Sequence, residues 1–228
     1  MRLQDLNWMD VERYLQQDRR ILLITGATEQ HSFLSLATDI LIPSRIALAV
    51  VEQEPVLVAP SFNFGVSELF VDFPGTISLS QQTFEAVLIE MVEGLMHQGF
   101  ERFFVLNGHG GNKMPHRLHD WHMENTIRVA WYDWWREEAA LAFADENGLR
   151  GDHANWSENF SFTRVADVPS GSKTPVTLEL LDEGKTPREV LGDGSFGGAY
   201  QIADDLMHVL FVRVVAEVVE RLRALGAS

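Results

Sequence analysis

The stretch RFFVLNGHGGN, residues 102–112, decides the fold. Its apolar run, FFVL, has the length of a buried strand, and the Asn-Gly pair breaks it. His109 then stands among glycines, and NKMPHRLHDWHMEN follows with the spacing of a helix. Strand, glycine-rich turn and helix form the repeating step of a parallel α/β sheet, whose functional loops lie beyond the carboxyl ends of the strands. Asn112 is the expected cap of that helix, whose first N–H groups would face an anion or an oxyanion. Gly110 and Gly111 are expected to take positive φ and to let the backbone approach a ligand.

The same step recurs on both sides. ILLIT (21–25) precedes a loop and the helix-like SRIALAVVEQE, and VLVAP (56–60) is a second strand closed by Pro60. SQQTFEAVLIEMVEGLMHQG reads as a helix capped by Ser80 and ended by Gly99, with Phe84, Val87, Leu88, Met91, Val92 and Leu95 on one stripe. IRVAWYDW is the fourth strand, WREEAALAFADENG a helix up to Gly148, and a long amphipathic helix starts near Ala203. The alternation predicts an α/β fold with a mostly parallel central sheet covered by helices on both faces. No repeat or linker interrupts it, so residues 1–228 are expected to form one domain.

Composition narrows the function. A net charge of -15, with its 18 basic residues scattered, argues against nucleic acid. No apolar run reaches the about 18 residues of a membrane span, and the first residues, MRLQDLNWMDVERYLQQD, read as a short polar helix rather than a signal peptide. With no cysteine, disulfides and thiolate sites are excluded and a cytoplasmic location is expected. The strong metal ligands left are His, Asp and Glu.

Those residue types concentrate in three loops. GATEQHSFLSLATD carries Glu29, His31 and Asp39 just past the first strand, with Glu29 and His31 two apart and so on one side of an extended segment. Two carboxylates and an imidazole suit Zn, Mn or Fe(II); a solvated polar loop is the alternative. NGHGGN adds His109 at the end of the third strand, and GDHANWSENF adds Asp152, His153 and Glu158 around Trp156. HRLHDWH looks like a metal box, but three-residue steps rotate His116, His119 and His122 around the helix, so a surface or subunit-contact role is expected for them.

Taken together, Glu29-x-His31, Asp39, NGHGGN and His153-Ala154-x-x-x-Glu158 resemble the creatininase (creatinine amidohydrolase) family, as do FGVSELFVDFPGTISLS and GDGSFGGAY. The resemblance spans most of the chain. It implies a three-layer α/β/α creatininase-like fold, hexameric homo-oligomers, and hydrolysis of a small-molecule amide with two divalent metal ions (Zn, Mn or Fe). Carried over by position, Glu29 and His109 hold one metal, His31 the other, and Asp39 bridges them. His153 becomes the acid/base residue, with Asp152 orienting the site or holding a substrate cation. Creatininase has Tyr and Glu where this chain has Gly110 and Gly111, so Glu158 is the expected replacement ligand. The first loop is one residue shorter than the common EQHGPHLPLGTD.

Leu149 and Arg150 stand where creatininase has a tryptophan and an aspartate, which implies a substrate other than creatinine. Ser67, Gly110 and Arg150 are the expected substrate contacts, with Arg150 facing an anionic group or forming a surface salt bridge. A gating tryptophan of creatininase falls near WYDWW, at Tyr132 or Trp134. The leading expectation is a hydrolase for a cyclic or formyl amide. The alternatives are a peptidase of the same family and an oligomeric binding subunit with this fold.

Overall fold

A computed structural model describes residues 1–177 and 184–226; the remainder of the expected 1–228 domain lies outside the described residues. The order is α1 (Trp8–Leu15), β1 (Arg20–Thr25), α2 (Thr38–Val51), β2 (Leu57–Val58), α3 (Gln81–Gln98), β3 (Arg102–Asn107), α4 (His116–Met123), β4 (Arg128–Asp133) and α5 (Glu138–Glu146). Then come β5 (Ser172–Lys173), α6 (Pro187–Leu191), β6 (Gly198–Ala199) and α7 (Asp204–Gly226). Strands β2-β1-β3-β4 form a parallel sheet in that order, with Thr25 opposite Asn107 and Asn107 opposite Asp133 at the carboxyl ends. The short β5 and β6 pair antiparallel outside it.

Alternation along the strands makes three layers. Leu22, Ile24, Phe104 and Leu106 point into a core shared with α2, α5 and α7. Their neighbours Ile21, Leu23, Phe103 and Val105 point into a second core with α1, α3 and α4. Both faces are therefore buried, which is why these strands read as unbroken apolar runs. Helix α3 follows its sequence signals: Ser80 accepts from the Thr83 N–H, and Gly99 ends the helix at φ 107°. Phe84, Leu88 and Val92 of its stripe are buried, whereas Val87 is exposed.

Two boundaries differ from expectation. Helix α2 begins at Thr38, ahead of the Ser44 suggested by the sequence, and contains Pro43. Proline has no N–H for the carbonyl four residues back, which is that of Asp39. That carbonyl packs on the ends of β1 and β3 instead, where a Cβ on Gly26 or Gly108 would overlap it. The second correction is Asn112, which does not cap α4. The helix starts four residues later, after Pro115. Asn112 instead accepts from the Val66 N–H at 3.2 Å and donates to the Gly26 carbonyl and the Asn107 side chain at 3.1 Å. It ties three strand-end loops together.

Candidate metal centre

Three loops meet beyond the carboxyl ends of β1 and β3. The first brings Glu29 and His31 and leads to Asp39 in the first turn of α2; the second brings His109; the segment after α5 brings His153 and Glu158. Glu29, His31, Asp39 and His109 are buried. One oxygen of Asp39, Oδ2, lies 2.9 Å from His109 Nδ1, and the other, Oδ1, lies 2.9 Å from His31 Nε2. Glu29 Oε1 is 3.3 Å from the same His109 nitrogen, and Glu158 Oε2 is 3.8 Å from the same His31 nitrogen. Two triads result, Glu29–Asp39–His109 and His31–Asp39–Glu158, with Asp39 in both. Glu29, His31 and His153 form a third convergent group.

The far sides of the two rings show that these residues fit a metal. His109 Nε2 is 2.8 Å from the Val66 carbonyl, and His31 Nδ1 is 3.1 Å from the Glu29 carbonyl. A carbonyl only accepts, so those nitrogens carry the protons. The opposite nitrogen of each ring faces carboxylates and, once it gives up its proton, offers them and a cation between them a lone pair. Glu29 Oε2 and Asp39 Oδ2 are buried without a hydrogen bond. The second of these lies only 2.9 Å from His109 yet out of hydrogen-bonding geometry, as expected of atoms converging on a third. Carboxylates and imidazoles without thiolates suit Zn, Mn or Fe(II).

Titration behaviour reflects the same opposition. Burial lowers the pKa of His31, but Asp39 and Glu158 outweigh it and push it up to about 10. His109 is raised in the same way, burial being outweighed by Glu29 and Asp39. Burial raises Asp39, yet His31 and His109 hold it below the usual carboxylate range. Burial pushes Glu158 up to about 7. His153 is kept well below an ordinary imidazole by burial and by His31.

His153 sits in an aromatic slot. Phe70 stacks on it at 4.4 Å and 17°, Phe196 leans against it at 5.2 Å, and His31 is 4.5 Å away. Its Nδ1 faces Glu29 Oε1 at 3.7 Å. Its Nε2 lies 3.0 Å from the Gln30 carbonyl and 2.9 Å from the Gln30 side-chain nitrogen. Asp152 stays outside the cluster: it accepts from the His153 N–H at 3.0 Å and stands 3.6 Å from Arg150, which is 85% exposed. Ser67 is buried with its hydroxyl unpartnered. Ser67, Gly110, Arg150, Asp152 and His153 line one cavity of about 480 Å³ together with Glu29, Asp39, His109 and Glu158.

The glycines of NGHGGN act differently from the expectation. Gly110 and Gly111 both keep ordinary negative-side backbone, outside the left-handed region. Gly111 is needed for space, because a Cβ there would overlap the Val66 carbonyl and crowd His109 Nε2. A Cβ on Gly110 would meet only Trp135, at 3.8 Å.

Residues 4–222 match the family model described as "Creatininase: Creatinine amidohydrolase". The chain belongs to the creatininase family. The family takes its description from an amidohydrolase activity. A putative creatinine amidohydrolase from Bacteroides fragilis has the same fold, with a TM-score of 0.77 at 21% identity over 100% of this chain and 97% of that one. A structure named "Creatininase Mn" gives 0.79 at 20% identity over 100% and 99%, and a mutant creatininase of "Zn-Zn type" gives 0.78 at 19% over 100% and 98%. Among curated relatives, the mycofactocin precursor peptide peptidase of Mycolicibacterium smegmatis is 36% identical over 99 residues, 40% of each chain. That of Mycobacterium tuberculosis is 34% identical over 103 residues, 40% of this chain and 41% of the relative. The match thus spans about two fifths of these relatives' length.

Several residues that shape the site in this creatininase-family chain carried no signal of their own. Gln30 lies between two candidate ligands, and its side chain donates to the Gly194 carbonyl at 2.9 Å. Phe70 and Phe196 come from FGVSELF and GDGSFGG, segments that count toward the family resemblance without revealing what their aromatics touch. Asn107 donates to the His109 carbonyl at 2.8 Å and to Asp133 at 2.7 Å, fixing the turn that presents His109. The helical His116, His119 and His122 are exposed, as expected for surface residues. Among the described residues no helix is long and apolar enough to cross a membrane.

Proposed function

We propose that this chain is a metal-dependent hydrolase of a peptide-like amide, with two divalent ions (Zn, Mn or Fe) held by Glu29, Asp39 and His109 and by His31, Asp39 and Glu158. The observation that carries this reading is the Asp39 carboxylate, whose two oxygens face two histidines of two separate triads. Such ions supply Lewis acidity, activating a water and polarising the scissile carbonyl. His153 Nδ1 takes the proton of the attacking water and returns it to the leaving nitrogen, while Gln30 partners its Nε2. Ser67 and Gly110 border the substrate, and Arg150 and Asp152 stand near the rim.

A cavity of about 480 Å³ favours a peptide-like substrate over the smaller cyclic or formyl amide, since pockets of about 300–1,000 Å³ serve drug-sized ligands. Relatives named as peptide peptidases support the same choice. A homo-oligomer is part of the proposal, with exposed Leu206, Val209 and Val212 on α7 available to a neighbouring copy. The test is metal analysis of reconstituted protein, paired with hydrolysis of a peptide library. About two ions per chain, lost in His109→Ala, together with peptide cleavage, is the expected result. Failure to retain metal would leave a binding subunit built on the family fold.

A further inference from the structure

The cavity has a second half that the proposed chemistry does not use. Beyond the metal-ligand cluster its wall is apolar: Trp134, Trp135 and Trp156, then Ala140 and Ala144 of α5, and Leu210 of α7. Ala140 and Ala144 are four apart and so share one face of the helix. Their small side chains leave room that a Leu or Met there would fill. The guanidinium of Arg136, which also borders the cavity, lies 5.4 Å from the Trp135 ring. Leu141, next on α5, is 57% exposed and also borders the cavity.

We propose that this half of the cavity is a specificity subsite for a leucine- or phenylalanine-sized side chain of the substrate. The inference rests on the peptide-amide reading of the same site and narrows it to peptides with a bulky apolar residue beside the scissile bond. The two can fail separately, because side-chain preference is measurable in binding without turnover.

The experiment compares N-acetyl methylamides of glycine, leucine and phenylalanine, binding to the metal-free and the metal-reconstituted protein, by calorimetry and tryptophan emission. The leucine and phenylalanine compounds should bind at least about tenfold more tightly than the glycine compound, the scale on which hydrophobic pockets discriminate. Ala140→Leu and Ala144→Leu, each checked for folding by circular dichroism, should erase that preference. Equal binding of all three compounds, or a preference kept in both folded variants, would overturn the subsite. Loss of metal retention alone would strike the hydrolase reading, while the binding series would still decide for or against the subsite.

Discussion

His109 Nε2 stands 2.8 Å from the carbonyl of Val66, so a residue in the loop after β2 decides which way the imidazole of the β3 loop faces. The hydrogen bond fixes the proton on Nε2 and turns Nδ1 toward Glu29 and Asp39. Supporting contacts of this kind are worth about 10–100-fold in metal affinity. The glycine that makes room for the contact is Gly111, since a Cβ there would overlap the Val66 carbonyl.

Gly111→Ala should therefore weaken metal binding by about 10–100-fold, because either Val66 or His109 must move. Gly110→Ala should retain the wild-type metal content, as its Cβ would meet only Trp135 at 3.8 Å. Metal titrations of the two variants make the comparison. Equal losses would show that the Val66 contact does not set the ligand.

Metal and protons should compete for the same nitrogens. In the metal-free protein His31 has a pKa pushed up to about 10, and His109 is raised as well. Raised folded values mean that the His31–Asp39 and His109–Asp39 pairs stabilise the metal-free fold fully below the ordinary imidazole pKa and lose that contribution as pH rises, through about 10 for His31. Metal must displace those protons, so its apparent affinity should rise from pH 6 to 9, with protons released on binding. Calorimetry in buffers of different ionisation enthalpy counts them; a count of zero at pH 7 would contradict the ligand assignment.

Stability should depend on a group far from the site. Arg20 opens β1 and bonds Asp18 at 2.7 Å, Glu54 at 2.8 Å and the Leu222 carbonyl of α7 at 3.1 Å. Arg20→Met leaves two poorly hydrated carboxylates and a carbonyl short of a donor, which should cost about 2–4 kcal/mol in urea unfolding at pH 7. Burial raises Asp18, but Arg20 more than offsets it, and Arg223 with Arg20 holds Glu54 down against burial. Depressed folded values place this stability above the ordinary carboxylate range and remove it as pH falls through them. The gap between wild type and variant should accordingly shrink toward pH 3.

The parallel sheet was legible because buried strands must be apolar on both faces, and 21–25 and 102–107 are continuous enough to show it. Glu29, His31 and His109 follow strand ends closely and Asp39 closes the first of those loops, and here the four fall within one buried cluster. Other features depend on contacts between distant segments. Ser44 looked like the start of a helix, yet the helix begins at Thr38, and the Asp39 carbonyl that Pro43 leaves free packs against Gly26 and Gly108. Asn112 had the composition of a cap, but its partners come from 26, 66 and 107. No local pattern encodes such partners.

Gln30 illustrates the same limit and yields the last prediction. Its side-chain amide is oriented by the Ser32 N–H on Oε1 at 3.1 Å and the Gly194 carbonyl on Nε2 at 2.9 Å. His153 Nε2 thus has a carbonyl of Gln30 at 3.0 Å to donate to and an amide of Gln30 at 2.9 Å to accept from. A ring that gains and loses its proton at Nδ1 keeps Nε2–H in both forms and donates it to the Gln30 carbonyl, without moving in its slot between Phe70 and Phe196; the Gln30 side chain anchors that residue through Ser32 and Gly194. Gln30→Ala removes the side-chain anchors that hold this carbonyl against His153 and leaves the carbonyl itself. Gly194→Ala should act through the same residue, because a Cβ there would overlap Gln30 Oε1. In both variants kcat should fall by up to about 10²–10⁴-fold, the usual contribution of a positioned acid/base, while metal content and KM change little. Single-turnover kinetics on metal-loaded protein measure this directly. A fall in KM-limited binding or in metal content, with kcat preserved, would assign Gln30 to the ligand shell rather than to His153.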